Sequence, residues 1–343
     1  MKISGAVLEK TGQPLVIHHD IEIPKLKSGQ LLVKLSHAGV CHSQLMEVRG
    51  KRGEDKFLPH LLGHEGVGRV VEIGADVVKV SQGDNVVLGW IKGLGLDAGG
   101  CQYQQGNRFI NSGAVTAFST YAVVSENRVV KLPQGISPKT AVLLGCALPT
   151  GAGIVLNQLK PKHNSTVGVY GLGGIGLSAL LAMNHFKPQN IIAFDIEENK
   201  LKLAKELGAT HCYSVDEEGI TQFNKDFPLG LDSIVEAAGK TSTIEAAFSL
   251  IKRGGGRCIF ASHPPVGELI KLDPFELICG KSIEGSWGGA TQPDQDLPII
   301  VDIINKYQLP VEKLLSNEYS LEQINQALDD IEQRKVTRAV ITF

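Results

Sequence analysis

The sequence predicts an α/β chain of two domains, one β-rich and one doubly wound, and three observations carry that reading. At 343 residues the chain is long for a single hydrophobic core. Its first half is a succession of short β-type segments, with helical patterns scarce before Ser137. After about residue 165 strand and helix patterns alternate. That rhythm belongs to βαβ units, whose parallel sheet is covered on both faces.

The elements follow in order. LLVKL at 31–35, VGRVVEIG at 67–74 and GDNVVLG at 83–89 are β-rich runs bounded by Gly, Asp and Asn turns. ISPKTAVLLGC opens a helix, with Ser137 as N-cap and Pro138 at the first helical position. TVGVYG predicts a strand and GGIGLSALLAMNHF an apolar helix. IIAFD predicts the next strand, followed by EENKLKLAKELG, an amphipathic helix closed by Gly208. DSIVEAAG, the helix TSTIEAAFSLIKRGGG and the strand RCIFAS continue the series. Beyond about 287, helices are expected near 295–306 and 320–333, then a last strand, RAVITF. The simplest architecture is a β-rich domain, an inserted doubly wound domain, and a C-terminal segment returning to the first.

Composition bounds the function. Hydrophobic content of 43% and charged content of 20% are ordinary for a globular chain, and a net charge of −2 gives no basis for a nucleic-acid or anionic-membrane partner. The 39 glycines lack a collagen-like period, so tight turns and close backbone approaches are expected. Six cysteines scattered singly make no disulfide framework, which points to a reducing compartment. The start, MKISGAVLEK, lacks the apolar core of a signal peptide. The longest uncharged run, 140–158, carries Pro149 and three glycines and reads as a buried helix plus loop rather than a membrane span. A cytoplasmic soluble protein is expected.

Two constellations carry chemistry. GLGGIG at 171–176 fits G-x-G-x-x-G, follows the strand TVGVY and opens the next helix. Gly171 allows the tight turn, Gly173 lets a pyrophosphate approach, and Gly176 permits close helix–strand packing. The N–H groups of the helix start, at Gly174 and Ile175, then face the phosphates. Asp195 ends the next strand, nineteen residues after Gly176, where an acid binds the adenosine ribose hydroxyls and repels a 2′-phosphate. Glu197 and Glu198 add to that repulsion, so NAD is favoured over NADP.

The second constellation is Cys41 in GVCHSQ, His64 and Glu65 in GHEGVG, and Cys146 in AVLLGCALPTG. Thiolate, imidazole and carboxylate are zinc donors, and three protein ligands leave the open position of a catalytic site. The spacing is too wide for a zinc finger, so a large fold must assemble it. Singly, each residue has a blander reading, a buried apolar thiol or a turn histidine.

GVCHSQ, GHEGVGRVVEIG, LLGCALPTGAG and GLGGIG, in this order, together with the terminal TRAVITF, give a chain that resembles the zinc-dependent alcohol dehydrogenases of the medium-chain dehydrogenase/reductase family nearly end to end. The resemblance implies a GroES-like, zinc-binding catalytic domain at 1–147 and 287–343 and an NAD-binding Rossmann domain at 148–286. It implies Cys41, His64 and Cys146 as ligands of one catalytic zinc, with Glu65 behind the metal or ligating transiently. Ser43 would hold the substrate hydroxyl and take its proton. His42 and Arg338 would lie near the cofactor pyrophosphate, Lys200 by the ribose, Thr150 at the nicotinamide, and Trp90 in the substrate pocket. The substrate would be a small primary or secondary alcohol or its carbonyl product, and a homo-oligomer, dimer or tetramer, would be the working form.

The chain departs from the family pattern twice. Many members hold a structural zinc with four close cysteines; here that stretch has only Cys101, so one zinc per chain is expected and Cys101 reads as a loop cysteine. Several relatives also carry a proton-relaying histidine five residues beyond the first ligand, where this chain has Met46. Arg49 and Arg52 follow closely and read either as solvated surface residues or as a clamp for an anionic substrate group. Alternatives are a polyol or sugar dehydrogenase, a metal-free quinone or enone reductase, and a non-enzymatic cofactor-binding protein. Cys146 argues against the first, the full ligand set against the second, and that set with Ser43 against the third.

Overall fold

The structure is a computed structural model that describes residues 1–261 and 263–343. The chain divides into two units: Met1–Cys146 with Gln292–Val301 and Val311–Phe343, and Ala147–Thr291 with Asp302–Pro310.

In the first unit the strand Gln30–Val40 is the spine. Leu31, Val33 and Leu35 belong to one core cluster, whereas Leu32 belongs to another. The two-residue period of a strand therefore feeds two cores at once, one on each side. This spine pairs antiparallel with Glu65–Ile73, Tyr121–Ser125 and Ala339–Thr342. Asn85–Gly89 and Val129–Lys131 extend the sheet on one side and Glu318–Tyr319 on the other. A closed barrel of Lys2–Leu8, Val16–Glu22, Gln102–Gln105, Arg108–Asn111 and His60–Leu61 completes the β-rich unit. This is the GroES-like part.

Cys101 is a loop residue, as expected, but a buried one. It lies just before the strand Gln102–Gln105, 8% exposed, in the cluster of Ile3, Ile21, Tyr103 and Ile110. Its Sγ is 3.5 Å from the Ser112 hydroxyl, and burial pushes the thiol upward in pKa. Alternation of Cys101, Tyr103 and inward residues of a short polar hairpin was too weak a pattern to read from QYQQGNRFIN alone.

The second unit is a six-stranded parallel sheet. In chain order its strands are Thr166–Tyr170, Asn190–Asp195, His211–Ser214, Ser233–Glu236, Arg257–Phe260 and Ser282–Gly285. Their spatial order is third, second, first, fourth, fifth, sixth. The direction of winding reverses beside Thr166–Tyr170, which pairs with both Asn190–Asp195 and Ser233–Glu236. Ligands of doubly wound sheets bind at that switch point, outside the carboxyl ends of the strands. RCIFAS forms the strand Arg257–Phe260; Ser262 lies outside the described residues.

Two expectations need correction. The run 140–158 contains no loop: helix Pro138–Ala141 and the turn Val142–Gly145 lead to Cys146, and helix Ala147–Gly153 follows with a π-helical turn Ile154–Leu159. Pro149 is tolerated because it lies in the first turn, where no intrahelical N–H partner is needed. The helix beginning at Thr241 ends at Ser249, short of the glycines, and Gly254 and Gly255 take φ of +73° and +110°. Among the described residues no single helix is long and apolar enough to cross a membrane.

The fully buried Tyr103 hydroxyl accepts the Val123 N–H at 2.8 Å, locking the barrel hairpin to the neighbouring strand. Tyr103→Phe leaves that buried donor unpaired and is expected to cost about 1–3 kcal/mol in denaturant unfolding.

Candidate metal centre and nucleotide loop

The three candidate metal donors come from three structural contexts in the first unit. Cys41 caps the helix His42–Val48, directly after the spine strand. His64 precedes the strand Glu65–Ile73. Cys146 sits where two helical turns meet, at φ −152° and ψ −69°, so the chain kinks at the ligand. Their donor atoms all lie within 4.8 Å of one another. The Cys41 and Cys146 sulfurs are 4.0 Å apart. Two sulfurs bound tetrahedrally at about 2.3 Å are separated by about 3.8 Å, so the thiols need almost no movement. His64 Nε2 is buried without a hydrogen-bond partner, as a nitrogen kept for a metal would be.

Glu65 is fully buried beneath this set. One nitrogen of Arg338 spans its carboxylate, 2.5 Å from Oε1 and 2.6 Å from Oε2. Register explains the meeting: Ala339 pairs with Val40, which brings Arg338 beside Cys41, and Gly66 pairs with Ala38. A Cβ on Gly39 would lie 2.5 Å from Glu65 Oε1, and one on Gly145 would lie 2.6 Å from Glu65 Cβ. These two glycines, just before Cys41 and Cys146, make room for Glu65, Gly39 for its carboxylate and Gly145 for its Cβ and backbone. Sequence reading missed them, although each stands next to a ligand motif.

The electrostatics follow from burial. A hydrogen bond with Cys146 brings the Cys41 thiol well below its usual range against desolvation, and Arg338 and His64 add to the effect. The hydrogen bond from Cys41 and burial push Cys146 well above its own range. Burial raises the Glu65 carboxyl despite Arg338. Burial would lower the Arg338 guanidinium, but Glu65 and the two thiols hold it well above its usual value. With both thiols deprotonated, two thiolates, a carboxylate and a guanidinium would carry two net negative charges in a dry site. A divalent soft-to-borderline cation matches both that charge and the donors.

Gln44 is the second residue that sequence reading missed. It is 3% exposed; its Oε1 accepts the Cys41 N–H at 3.2 Å and its Nε2 touches His64 Nδ1. Ser43 Oγ approaches the same Nδ1 at 3.5 Å. Gln44 thus positions two ligands at once, and the Q after GVCHS is its only signal.

The nucleotide loop lies in the second unit. Gly171 takes φ +90°, and a Cβ there would meet Ala238 at 2.7 Å. A Cβ on Gly176 would fall 1.9 Å from the Gly171 carbonyl oxygen. Gly173, by contrast, has nothing within 4 Å in that direction, an open cradle at the N-terminus of helix Gly174–Phe186. Asp195 is buried at the end of its strand: Oδ2 accepts the Leu172 N–H at 2.7 Å and Oδ1 the Glu197 N–H at 3.0 Å. The acid therefore shapes the glycine loop and keeps spare lone pairs for a ribose. Lys200 is engaged by Glu197 at 2.8 Å. Thr150 Oγ1 is buried with no hydrogen-bond partner among the described residues.

The other expected residues lie as follows. His42 is exposed at the start of its helix, and Trp90 follows Gly89, the register partner of Glu65. Arg49 is a partly exposed surface residue whose guanidinium is taken up by two carboxylates, Glu332 at 2.9 Å and Asp329 at 2.5 Å. Arg52 is half exposed, 3.8 Å from Glu47.

A family model described as alcohol dehydrogenase GroES-like domain matches residues 27–134, and one described as zinc-binding dehydrogenase matches 174–306. An S-(hydroxymethyl)glutathione dehydrogenase of Escherichia coli is 30% identical, with 100% of both chains covered. The chain belongs to the zinc-type medium-chain alcohol dehydrogenases. Among solved structures it is similar to an alcohol dehydrogenase zinc-binding domain protein from Burkholderia ambifaria, 27% identical with a TM-score of 0.91 over 100% of this chain and 99% of that one. Benzyl alcohol dehydrogenase from Acinetobacter calcoaceticus is 28% identical, with a TM-score of 0.89 over the same shares. This medium-chain dehydrogenase is accordingly an enzyme that exchanges hydride between alcohols and NAD with the help of zinc, on a GroES-like and a Rossmann fold.

Arg338→Met strands the buried Glu65 charge and should remove about 3–5 kcal/mol of folding stability, while the double variant with Glu65→Leu should recover much of it in the same denaturant melts. Gln44→Leu should weaken zinc binding roughly 10–100-fold in chelator competition. Gly176→Ala should lose roughly 1–3 kcal/mol of stability through overpacking and bind NADH more weakly by fluorescence titration.

Proposed function

We propose that this enzyme oxidises a neutral primary or secondary alcohol with NAD, reversibly, at a single zinc held by Cys41, His64 and Cys146. The observation that carries the reading is the donor set, three protein ligands within 4.8 Å and no fourth among the described residues. Zinc, when bound there, supplies a Lewis acid that makes a substrate hydroxyl acidic near neutral pH. NAD supplies the hydride acceptor.

The chain's own residues do the remainder. Ser43 orients the hydroxyl and takes its proton, while Gln44 keeps His64 turned toward the thiols. Glu65 and Arg338 balance charge under the site, Glu65 being the candidate transient ligand and Arg338 also serving the pyrophosphate together with His42. Gly171, Gly173, Gly174, Ile175 and Gly176 cradle the pyrophosphate with backbone N–H groups. Asp195 binds the ribose, Lys200 flanks it through Glu197, and Thr150 donates its hydroxyl to the nicotinamide. Trp90 gives the substrate pocket an apolar wall. The catalytic domain comprises 1–147 and 287–343 and the NAD domain 148–286.

Capture of Arg49 by two carboxylates supports a neutral substrate over a carboxylate-bearing one. Two similar proteins carry names that suggest a substrate, S-(hydroxymethyl)glutathione and benzyl alcohol. A homo-oligomer is supported by the edge strand Ser282–Gly285 and by exposed Leu269, Phe275, Ile278 and Trp287 near it in the sequence. Six free cysteines support a cytoplasmic setting.

The deciding experiment follows NAD reduction with benzyl alcohol, short alcohols, polyols and S-(hydroxymethyl)glutathione. Benzyl or short neutral alcohols should give the highest kcat/KM. A preference of more than tenfold for the glutathione adduct would overturn the neutral-substrate reading. Asp195→Ala should raise KM for NAD and narrow its advantage over NADP, by roughly 1–3 kcal/mol for lost charge-assisted hydrogen bonds.

A further inference from the structure

Outside the zinc ligands, one more cluster among the described residues gathers metal donors from separate elements. Glu47 lies on the helix His42–Val48, Asp55 in the following loop, and His60 in the strand His60–Leu61. Their donor atoms all lie within 4.8 Å of one another. We propose that Glu47, Asp55 and His60 form a second divalent-cation site, separate in position and chemistry from the catalytic zinc.

The argument begins with the imidazole. His60 is 6% exposed, and its Nδ1 lies 3.1 Å from the Leu61 carbonyl oxygen. A carbonyl only accepts, so Nδ1 carries the proton. The other ring nitrogen, Nε2, faces Asp55 Oδ2 at 2.7 Å and Glu47 Oε1 at 3.9 Å. A neutral ring in that tautomer would direct its lone pair at two carboxylates. A cation shared by Nε2 and both carboxylates removes the conflict. Metal-bound histidines donate their remaining N–H to a backbone carbonyl or carboxylate in this way.

The carboxylates are held for the task. The Phe57 N–H donates to Asp55 Oδ1 at 2.9 Å, which leaves Oδ2 for the histidine side, and the Asp55 side chain is 10% exposed. Burial is the largest influence on Glu47 and raises its carboxyl above the usual range; Asp55 adds to that, while His60, Arg52 and His64 oppose it. Arg52 is the only cation near Glu47 besides the histidines among these influences, and at 3.8 Å it is a loose partner. Two oxygens and one nitrogen, with no sulfur, suit zinc, manganese, iron(II) or cobalt in a harder site than Cys41–His64–Cys146. The cation would pin the loop between the helix that carries Ser43 and Gln44 and the strand that runs on to His64.

The test uses the zinc-loaded full chain, dialysed against Mn²⁺ and counted by electron paramagnetic resonance alongside elemental zinc analysis. The expected result is one manganese per chain beyond the zinc. His60→Gln and the milder Glu47→Gln should abolish or weaken that uptake at least tenfold while zinc stays bound. Cys41→Ser should lose zinc yet keep manganese uptake. Added Mn²⁺ should also slow proteolysis within 50–57 in the wild type and not in His60→Gln. No extra manganese, uptake equal in wild type and both variants, or uptake lost only with Cys41→Ser would each overturn the proposal. In the first case His60 only hydrogen-bonds the carboxylates and holds no metal.

Discussion

The ion pair of Glu65 and Arg338 is the constraint on which the catalytic unit depends. A carboxylate with no exposed surface is tolerable only if a cation and hydrogen bonds replace the lost water. Here the partner comes from 273 residues away, from the residue just before the strand Ala339–Thr342 that pairs with the spine. The pair ties the beginning of the strand Glu65–Ile73 to the C-terminal segment, which explains why residues past 310 return to the first unit. Gly39 is small because the Glu65 carboxylate fills the space beside it, and Gly145 because the Leu88 carbonyl and the base of the Glu65 side chain do. The same pairing sets the charge under the thiols of Cys41 and Cys146.

The ligand set inherits its order from that base. Each donor sits at a discontinuity of secondary structure: a helix cap, a residue before a strand, and a break between helical turns. Such positions free a side chain from the periodicity of the element while the element still anchors it. Gln44 then couples two of the three, touching His64 through one end of its amide and the Cys41 backbone through the other. Orientation of the imidazole is thus decided outside the ligands themselves.

The nucleotide unit shows a similar economy. Asp195 serves the loop itself, because its carboxylate holds Leu172 and so fixes the turn that begins at Gly171. Close packing at Gly176 brings the helix start against the strand end, and the open side at Gly173 is where a phosphate can approach. The reversal of strand order beside Thr166–Tyr170 opens the crevice at this same end of the sheet.

By itself the sequence determined what is local or periodic. Alternating β and α patterns after residue 165, the glycine loop with its acid, and the donor types in GVCHSQ, GHEGVG and LLGCALPTG were legible because short-range chemistry encodes them. The hairpin 102–111 was not legible, since its inward residues are one tyrosine and one isoleucine amid polar neighbours, with the buried Cys101 just before it. Nor was the role of Arg49, whose partners lie 280 or more residues away. Gln44, Gly39 and Gly145 look ordinary in the chain and acquire meaning only from what packs against them. Tertiary structure alone decided that His60 meets Asp55 and Glu47, and that Arg338 meets Glu65. Side-chain pairing across elements depends on register and burial, and those quantities exist only once the strands have found their partners.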